Sequence, residues 1–194
     1  MTALTVNLRP TLELTDDQFF ELCQTNRDLR FERTATGELI IMVPVGGEGS
    51  NRNSRLTQQV SNWSDIDDAG LPFDSSGGFK LPNNADRSPD AAWVRRDRWD
   101  ALTPEQKRKF PPLCPDFVVE LRSESDSLTT LQAKMQEYLE NGAQLGWLID
   151  PKTRQVEIYR AGQPVEVLQN PATLSGEDVL PGFVLDLNPI FRDL

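Results

Sequence analysis

Residues Cys114–Asp150 read CPDFVVELRSESDSLTTLQAKMQEYLENGAQLGWLID, and this stretch decides the fold. Its pattern spells strand, turn, helix, strand. FVVEL is apolar on both sides of the alternation, so the strand should be covered on both faces. Yet Glu120 sits inside it, and a buried carboxylate is costly unless a partner meets it. The helix that follows, Ser127–Asn141, carries Leu128, Leu131, Met135, Tyr138 and Leu139 on one stripe. Lys134 stands at the edge of that stripe, where the helix can turn it back toward the strand. Arg122 shares the face of Glu120 by the period of two. The strand acid therefore has two candidate partners, Arg122 and Lys134.

Outward from this stretch, Thr15–Asn26 reads as a helix with Thr15 as cap and Gln18 completing a capping box. DLRFERTATGELIIMVP reads as a hairpin, with strands near Arg30–Thr34 and Glu38–Val43 and a turn closed by Gly37. A second helix should run from about Gly49 to Asp65, with Leu56, Val60 and Trp63 at helical spacing. LPFDSSGGFKLPN reads as two short strands around the Ser75–Gly78 turn. RSPDAAWV places Asp90 at the start of an apolar strand. A polar helical excursion follows, opened in its second half by Thr103 and Pro104. Beyond Asp150, QVEIYR reads as an outer strand and PVEVLQ as another. Gly142 suits the end of the central helix. With no internal repeat and no linker, residues 1–194 read as a single α/β or α+β domain around a mixed sheet flanked by helices.

The chain has 194 residues, is 38% hydrophobic and 26% charged, and so can bury an ordinary core. No apolar run is long enough to span a bilayer, and the N-terminal stretch lacks the basic and apolar regions of a secretory signal. Cys23 and Cys114 have no metal-like spacing and read as reduced thiols. The expected location is the cytoplasm. The sequence contains no histidine, which removes Ser-His-Asp and Cys-His catalysis and most zinc sites. Chemistry here must rest on carboxylates, lysine, hydroxyls or a hard cation held by oxygen. The net charge of −10 argues against a protein that coats nucleic acid nonspecifically. It leaves room for a narrow, locally basic groove.

The acids Glu48, Asp90 and Glu120 stand at element ends or inside an apolar strand, with Lys134 as candidate cation. Mg²⁺ takes oxygen ligands, usually one or two carboxylates with waters and substrate phosphate. Two acids on neighbouring strands plus a lysine make a minimal kit for metal-dependent phosphodiester hydrolysis. Each residue also has a plainer reading. Glu48 suits the positive end of a helix, Asp90 suits a turn after Ser88-Pro89, and Lys134 suits an apolar edge with its ammonium in water. Glycoside hydrolysis by a carboxylate pair would want an aromatic platform, and none stands at a suitable spacing.

SPDAAWV, CPDFVVELRS, LQAKMQEYLENGAQLGWLIDP and VEIYR together resemble the Uma2 family of restriction-endonuclease-like proteins, within the PD-(D/E)XK nuclease superfamily. The resemblance runs from the first hairpin nearly to the C-terminus. It implies a restriction-endonuclease-like mixed sheet flanked by helices, with Mg²⁺ or Mn²⁺ held near the sheet and DNA as substrate. Pro89-Asp90 matches the PD element, and Asp90 and Glu120 match the metal-binding acids. Glu48 matches an acid carried on the first helix. Where the superfamily pattern has a lysine two residues after the second acid, this chain has Arg122. Lys134 fits a lysine that has moved to the next helix, leaving Arg122 for substrate phosphate. The implied catalytic set is Glu48, Asp90, Glu120 and Lys134. DNA binding should be weak and salt-dependent, with a homodimer adding contacts. The rival reading is a nuclease-like shell that binds or assembles without hydrolysis, since arginine cannot act as a base.

Overall fold

Local signals set most element boundaries in the computed structural model, which describes residues 3–42, 44 and 46–192. The chain opens with β1 (Leu4–Val6), α1 (Asp16–Thr25), β2 (Arg30–Arg33), β3 (Leu39–Met42) and α2 (Gly47–Asp67). Next come β4 (Gly70–Asp74), β5 (Phe79–Lys80), β6 (Asp86–Arg87), β7 (Ala91–Arg95), α3 (Arg96–Asp100) and α4 (Pro104–Arg108). The central unit is β8 (Phe117–Leu121), α5 (Leu128–Glu140) and β9 (Leu145–Asp150). The chain then runs through β10 (Gln155–Arg160), β11 (Glu166–Gln169), β12 (Thr173–Ser175), β13 (Val184–Asp186) and α6 (Asn188–Phe191). The Thr15 and Thr103 capping boxes both form, and Ser127 caps α5. Gly142, with φ +112°, follows the end of α5 in a conformation that favours glycine. The expected end of β3 at Val43 lies outside the described residues.

Six strands form the main sheet in the order β11-β10-β9-β8-β7-β4. β8 and β9 are its parallel pair, and α5 is the crossover that parallel strands require. All five residues of β8 are buried, as its two-sided apolar pattern demands. On one face, Phe117, Val119 and Leu121 join Trp93, Trp147 and Ile149 under Leu56 and Val60 of α2 and the C-terminal segment around Phe183 and Ile190. On the other face, Val118, Ala92, Val94 and Leu148 pack against Met135 and Tyr138 of α5. Glu120 is two residues from Val118, so it faces α5.

A second, five-stranded antiparallel sheet runs β1-β3-β2-β6-β5. Phe19 of α1 packs on Phe31 and Leu39 beneath it. The two short strands around Ser75–Gly78 belong to different sheets: β4 edges the large one and β5 the small one. β6 has no sequence signal of its own, because both its residues are charged. It forms where Asp86 pairs with Arg33 of β2 and accepts its guanidinium at 2.7 Å. β10 is not an outer strand either. β11 pairs with its far side and takes the edge.

α5 approaches the sheet closely at one point. Gly146 of β9 sits between Val118 and Tyr159 in register. A Cβ there would lie 2.5 Å from Met135 Cε and 3.2 Å from Val118 Cγ2. Gly146→Val should overpack this contact and cost about 1–3 kcal/mol, read as a lower urea midpoint. Gly146→Ala should cost less, because the Met135 tip can move. An unchanged midpoint for the valine variant would show that α5 is not held against the sheet here.

Candidate active site

β7 and β8 set the two acids side by side. The antiparallel register pairs Ala91 with Val119, so Asp90, one residue earlier, stands across from Glu120. Asp90 accepts the Leu121 amide on Oδ2 at 2.8 Å, which ties its carboxylate to the end of β8. Its Oδ1 accepts the Asn53 side-chain amide from α2 at 3.0 Å. Glu120 is 4% exposed and accepts the Tyr138 hydroxyl on Oε1 at 3.0 Å. Lys134 meets the same oxygen at 2.8 Å. Lys134 and Tyr138, one helical turn apart on α5, thus converge on Glu120.

A residue the sequence pattern did not single out completes the group. Glu32 of β2 is 3% exposed, and Lys134 Nζ reaches it at 2.8 Å. Glu32 also accepts the Ser88 amide at 2.9 Å and the Arg87 guanidinium at 3.1 Å. Arg87 in turn pairs with Glu137 of α5 at 2.6 Å. The hairpin reading of RFER gave Glu32 no role of its own. The available signal was the one noticed at Glu120, an acid at strand centre.

Two carboxylates, Glu32 and Glu120, therefore contact one ammonium, with Asp90 beside Glu120. Burial pushes Glu120 up to about 7, with Lys134 opposing the shift and the charges of Asp90 and Glu32 adding to it. Burial likewise raises Asp90, against the Leu121 amide, Lys134 and Asn53. Burial works against the Glu32 anion too, but Lys134, Arg87 and the Ser88 amide outweigh it and hold its pKa below the usual value. For Lys134, burial is outweighed by Glu120 and Glu32, so the ammonium keeps its proton. Burial and the neighbouring Glu120 raise Tyr138 well above the usual phenol value, so it remains a hydrogen-bond donor.

The other two expected residues stand elsewhere. Glu48 lies in the exposed first turn of α2 and pairs with Arg52 at 3.4 Å. No hydrogen bond or ion pair joins it to Asp90, Glu120 or Lys134 among the described residues. The position suits a charge at a helix N-terminus, and α2 reaches the acids through Asn53 instead. Arg122 turns to Asp150 of β9 at 2.6 Å and lines a small cavity with Leu128, Thr153 and Glu157. Of its two candidate partners, Glu120 takes Lys134.

Mg²⁺ is a reasonable fit to this donor set. Among the described residues no three His, Cys, Asp or Glu side chains converge as a closed metal cage. Two adjacent carboxylates completed by waters and substrate phosphate are what Mg²⁺ commonly uses. Beside Asp90, the buried Oδ1 of Asn53 has no hydrogen-bond partner, a hard oxygen left unused.

The chain folds as sheets, the largest of them mixed, flanked by helices. A solved structure that shares this fold is described as that of "a putative nuclease belonging to DUF820" from Anabaena variabilis. That structure superposes with a TM-score of 0.74 at 21% identity, over 92% of this chain and 97% of the other. No curated protein matches the chain. A family model described as "Uma2: Putative restriction endonuclease" matches residues 16–188, and the chain belongs to this family.

The Arg122–Asp150 pair makes a pH prediction. Burial opposes the Asp150 anion, but Arg122 and the Thr153 contacts outweigh it and lower its pKa from 3.8. A depressed folded pKa stabilises the fold above the unfolded value, and that contribution fades as pH falls through the folded one. Between roughly pH 5 and pH 2, the thermal midpoint of wild type should therefore fall more steeply than that of Asp150→Asn. Parallel curves would show that the pair contributes no acid-labile stability.

Proposed function

We propose that this protein is a Mg²⁺- or Mn²⁺-dependent endodeoxyribonuclease that hydrolyses DNA phosphodiester bonds. The observation that carries the reading is the meeting of Asp90, Glu120 and Lys134 on one face of the sheet, with Lys134 Nζ 2.8 Å from Glu120. Asp90 and Glu120 would hold the metal, with Asn53 Oδ1 as a further oxygen beside them. When bound, such an ion supplies Lewis acidity and a more acidic water at neutral pH. Lys134, fixed and protonated, is placed to orient the attacking water and to stabilise charge that develops on the phosphate oxygens. Tyr138 holds Glu120 in place from below. Glu48, at the mouth of α2, would act at most through water.

The cations around the site support weak, salt-dependent DNA binding. Arg52, Arg87, Arg122 and Lys134 are each ion-paired within the chain. Among the described residues no carboxylate pairs with Arg30, which is held by Ser75 and carries its charge toward Asp90. Arg30 is thus better placed than Arg122 to meet a phosphate. A homodimer would double the phosphate contacts and offset the acidic balance of the chain. No helix among the described residues is long and apolar enough to cross a membrane, and a cytoplasmic location accords with this reading. The same pairing of the cations favours a second reading, a nuclease-like module that binds its partner without cutting it.

Supercoiled plasmid offered with Mg²⁺ or Mn²⁺ tests the proposal. Wild type should nick it, and Asp90→Asn, Glu120→Gln and Lys134→Gln should each lose about 10²-fold or more in rate. Metal should also raise the thermal midpoint of wild type and leave that of Asp90→Asn and Glu120→Gln unmoved. A stabilising metal without cleavage of single- or double-stranded DNA selects the binding module. Neither effect rejects both readings.

A further inference from the structure

Glu32 belongs to a different sheet from the two acids that would hold metal, yet it reaches their neighbourhood through three contacts. Its Oε1 accepts both the Ser88 amide at 2.9 Å and Lys134 Nζ at 2.8 Å, and its Oε2 accepts Arg87 at 3.1 Å. Ser88 stands two residues before Asp90, so Glu32 also pins the segment from which Asp90 projects. We infer that Glu32 is a positioning residue for the metal site. It holds Lys134 midway between itself and Glu120, so that the ammonium does not neutralise the Asp90–Glu120 pair. This rests on reading Asp90 and Glu120 as the acids that hold a divalent cation.

The argument is one of competition inside a poorly screened space. Lys134 has a second anion within reach, at the same 2.8 Å as the first. Remove the charge of Glu32 and the ammonium has Glu120 as its one remaining carboxylate contact. A divalent cation must then compete with a fully committed lysine. The lost negative charge also weakens the attraction of the whole cluster for any cation. Both effects act in the same direction. Arg87, a cation, cannot make up the lost negative charge, and among the described residues it keeps only Glu137 at 2.6 Å.

A purely structural Glu32 would clamp the two sheets together and nothing more. Its loss would lower the thermal midpoint but leave the folded protein with unchanged affinity for metal. The two roles separate in a titration of the full chain with Mn²⁺, free ion being read by electron paramagnetic resonance, with no substrate present. Folding is checked by circular dichroism. Wild type should take up Mn²⁺ and Asp90→Asn should not. Folded Glu32→Gln should bind it about tenfold more weakly. Glu32→Asp keeps the charge but retracts it by one methylene, and should lose only about threefold. In a Lys134→Gln background the effect of Glu32→Gln should shrink to about threefold or less, since Glu32 acts through that lysine.

Wild-type affinity in folded Glu32→Gln overturns the inference, as does a tenfold loss that persists undiminished without Lys134. If Glu32→Gln does not fold, Glu32→Asp decides: unchanged Mn²⁺ affinity overturns the inference and the intermediate loss supports it. A wild type that takes up no Mn²⁺ removes the metal-site reading itself, and this inference with it.

Discussion

One ammonium between two buried carboxylates ties three parts of this protein to a single point. Lys134 belongs to α5, Glu120 to the large sheet and Glu32 to the small one. Breaking a buried pair by removing one partner costs about 3–5 kcal/mol, because the other charge is left without compensation. The helix and both sheets must therefore meet within hydrogen-bond distance of the Lys134 nitrogen. Asp90, Tyr138 and Arg87 surround that point and depend on the same alignment.

The large sheet separates its tasks by face. The face toward α2 and the C-terminal segment is built from aromatic and aliphatic side chains, including Trp93, Trp147 and Phe183. The face toward α5 carries a polar row as well. Glu120 and Glu157 flank Leu148 across β8, β9 and β10, and Arg122 pairs with Asp150 nearby. Glu157 is met by Gln132 at 2.8 Å and by the Tyr159 hydroxyl at 2.6 Å. α5 thus stitches two buried acids, one through Lys134 and Tyr138 and one through Gln132. A buried carboxylate without such partners would neutralise or unfold its surroundings, so the apolar face provides much of the packing that fixes these donors.

Much of the candidate site's geometry was legible in the chain. Glu120 announced itself as an acid in a two-sided apolar strand, and Lys134 as a cation on the edge of the next helix. Asp90 stood at the mouth of a neighbouring strand, and the register sets it against Glu120. Arg122 shared a face with Glu120 by periodicity, but Asp150 on the adjacent strand lies within reach and takes it. Glu48 read more plainly as a helix-end charge than as a site acid, and it is found exposed, with Arg52 as partner. Glu32 was hidden because RFER alternates like a strand with one wet face, whereas a helix from a distant part of the chain covers that face.

Periodicity, caps and composition by themselves determined the order of the elements from α1 to β11 apart from β6, the two-sided burial of the central strand and the absence of histidine chemistry. These follow from interactions within a few residues of one another. Only the tertiary structure decided which sheet each short strand joins, which acid Lys134 chooses, and that Glu32 shares it. Those outcomes depend on side chains far apart in sequence, Glu32 and Lys134 above all, competing for the same few ångströms. A buried charge accepts whichever partner the packing brings nearest, and local pattern carries no record of that choice.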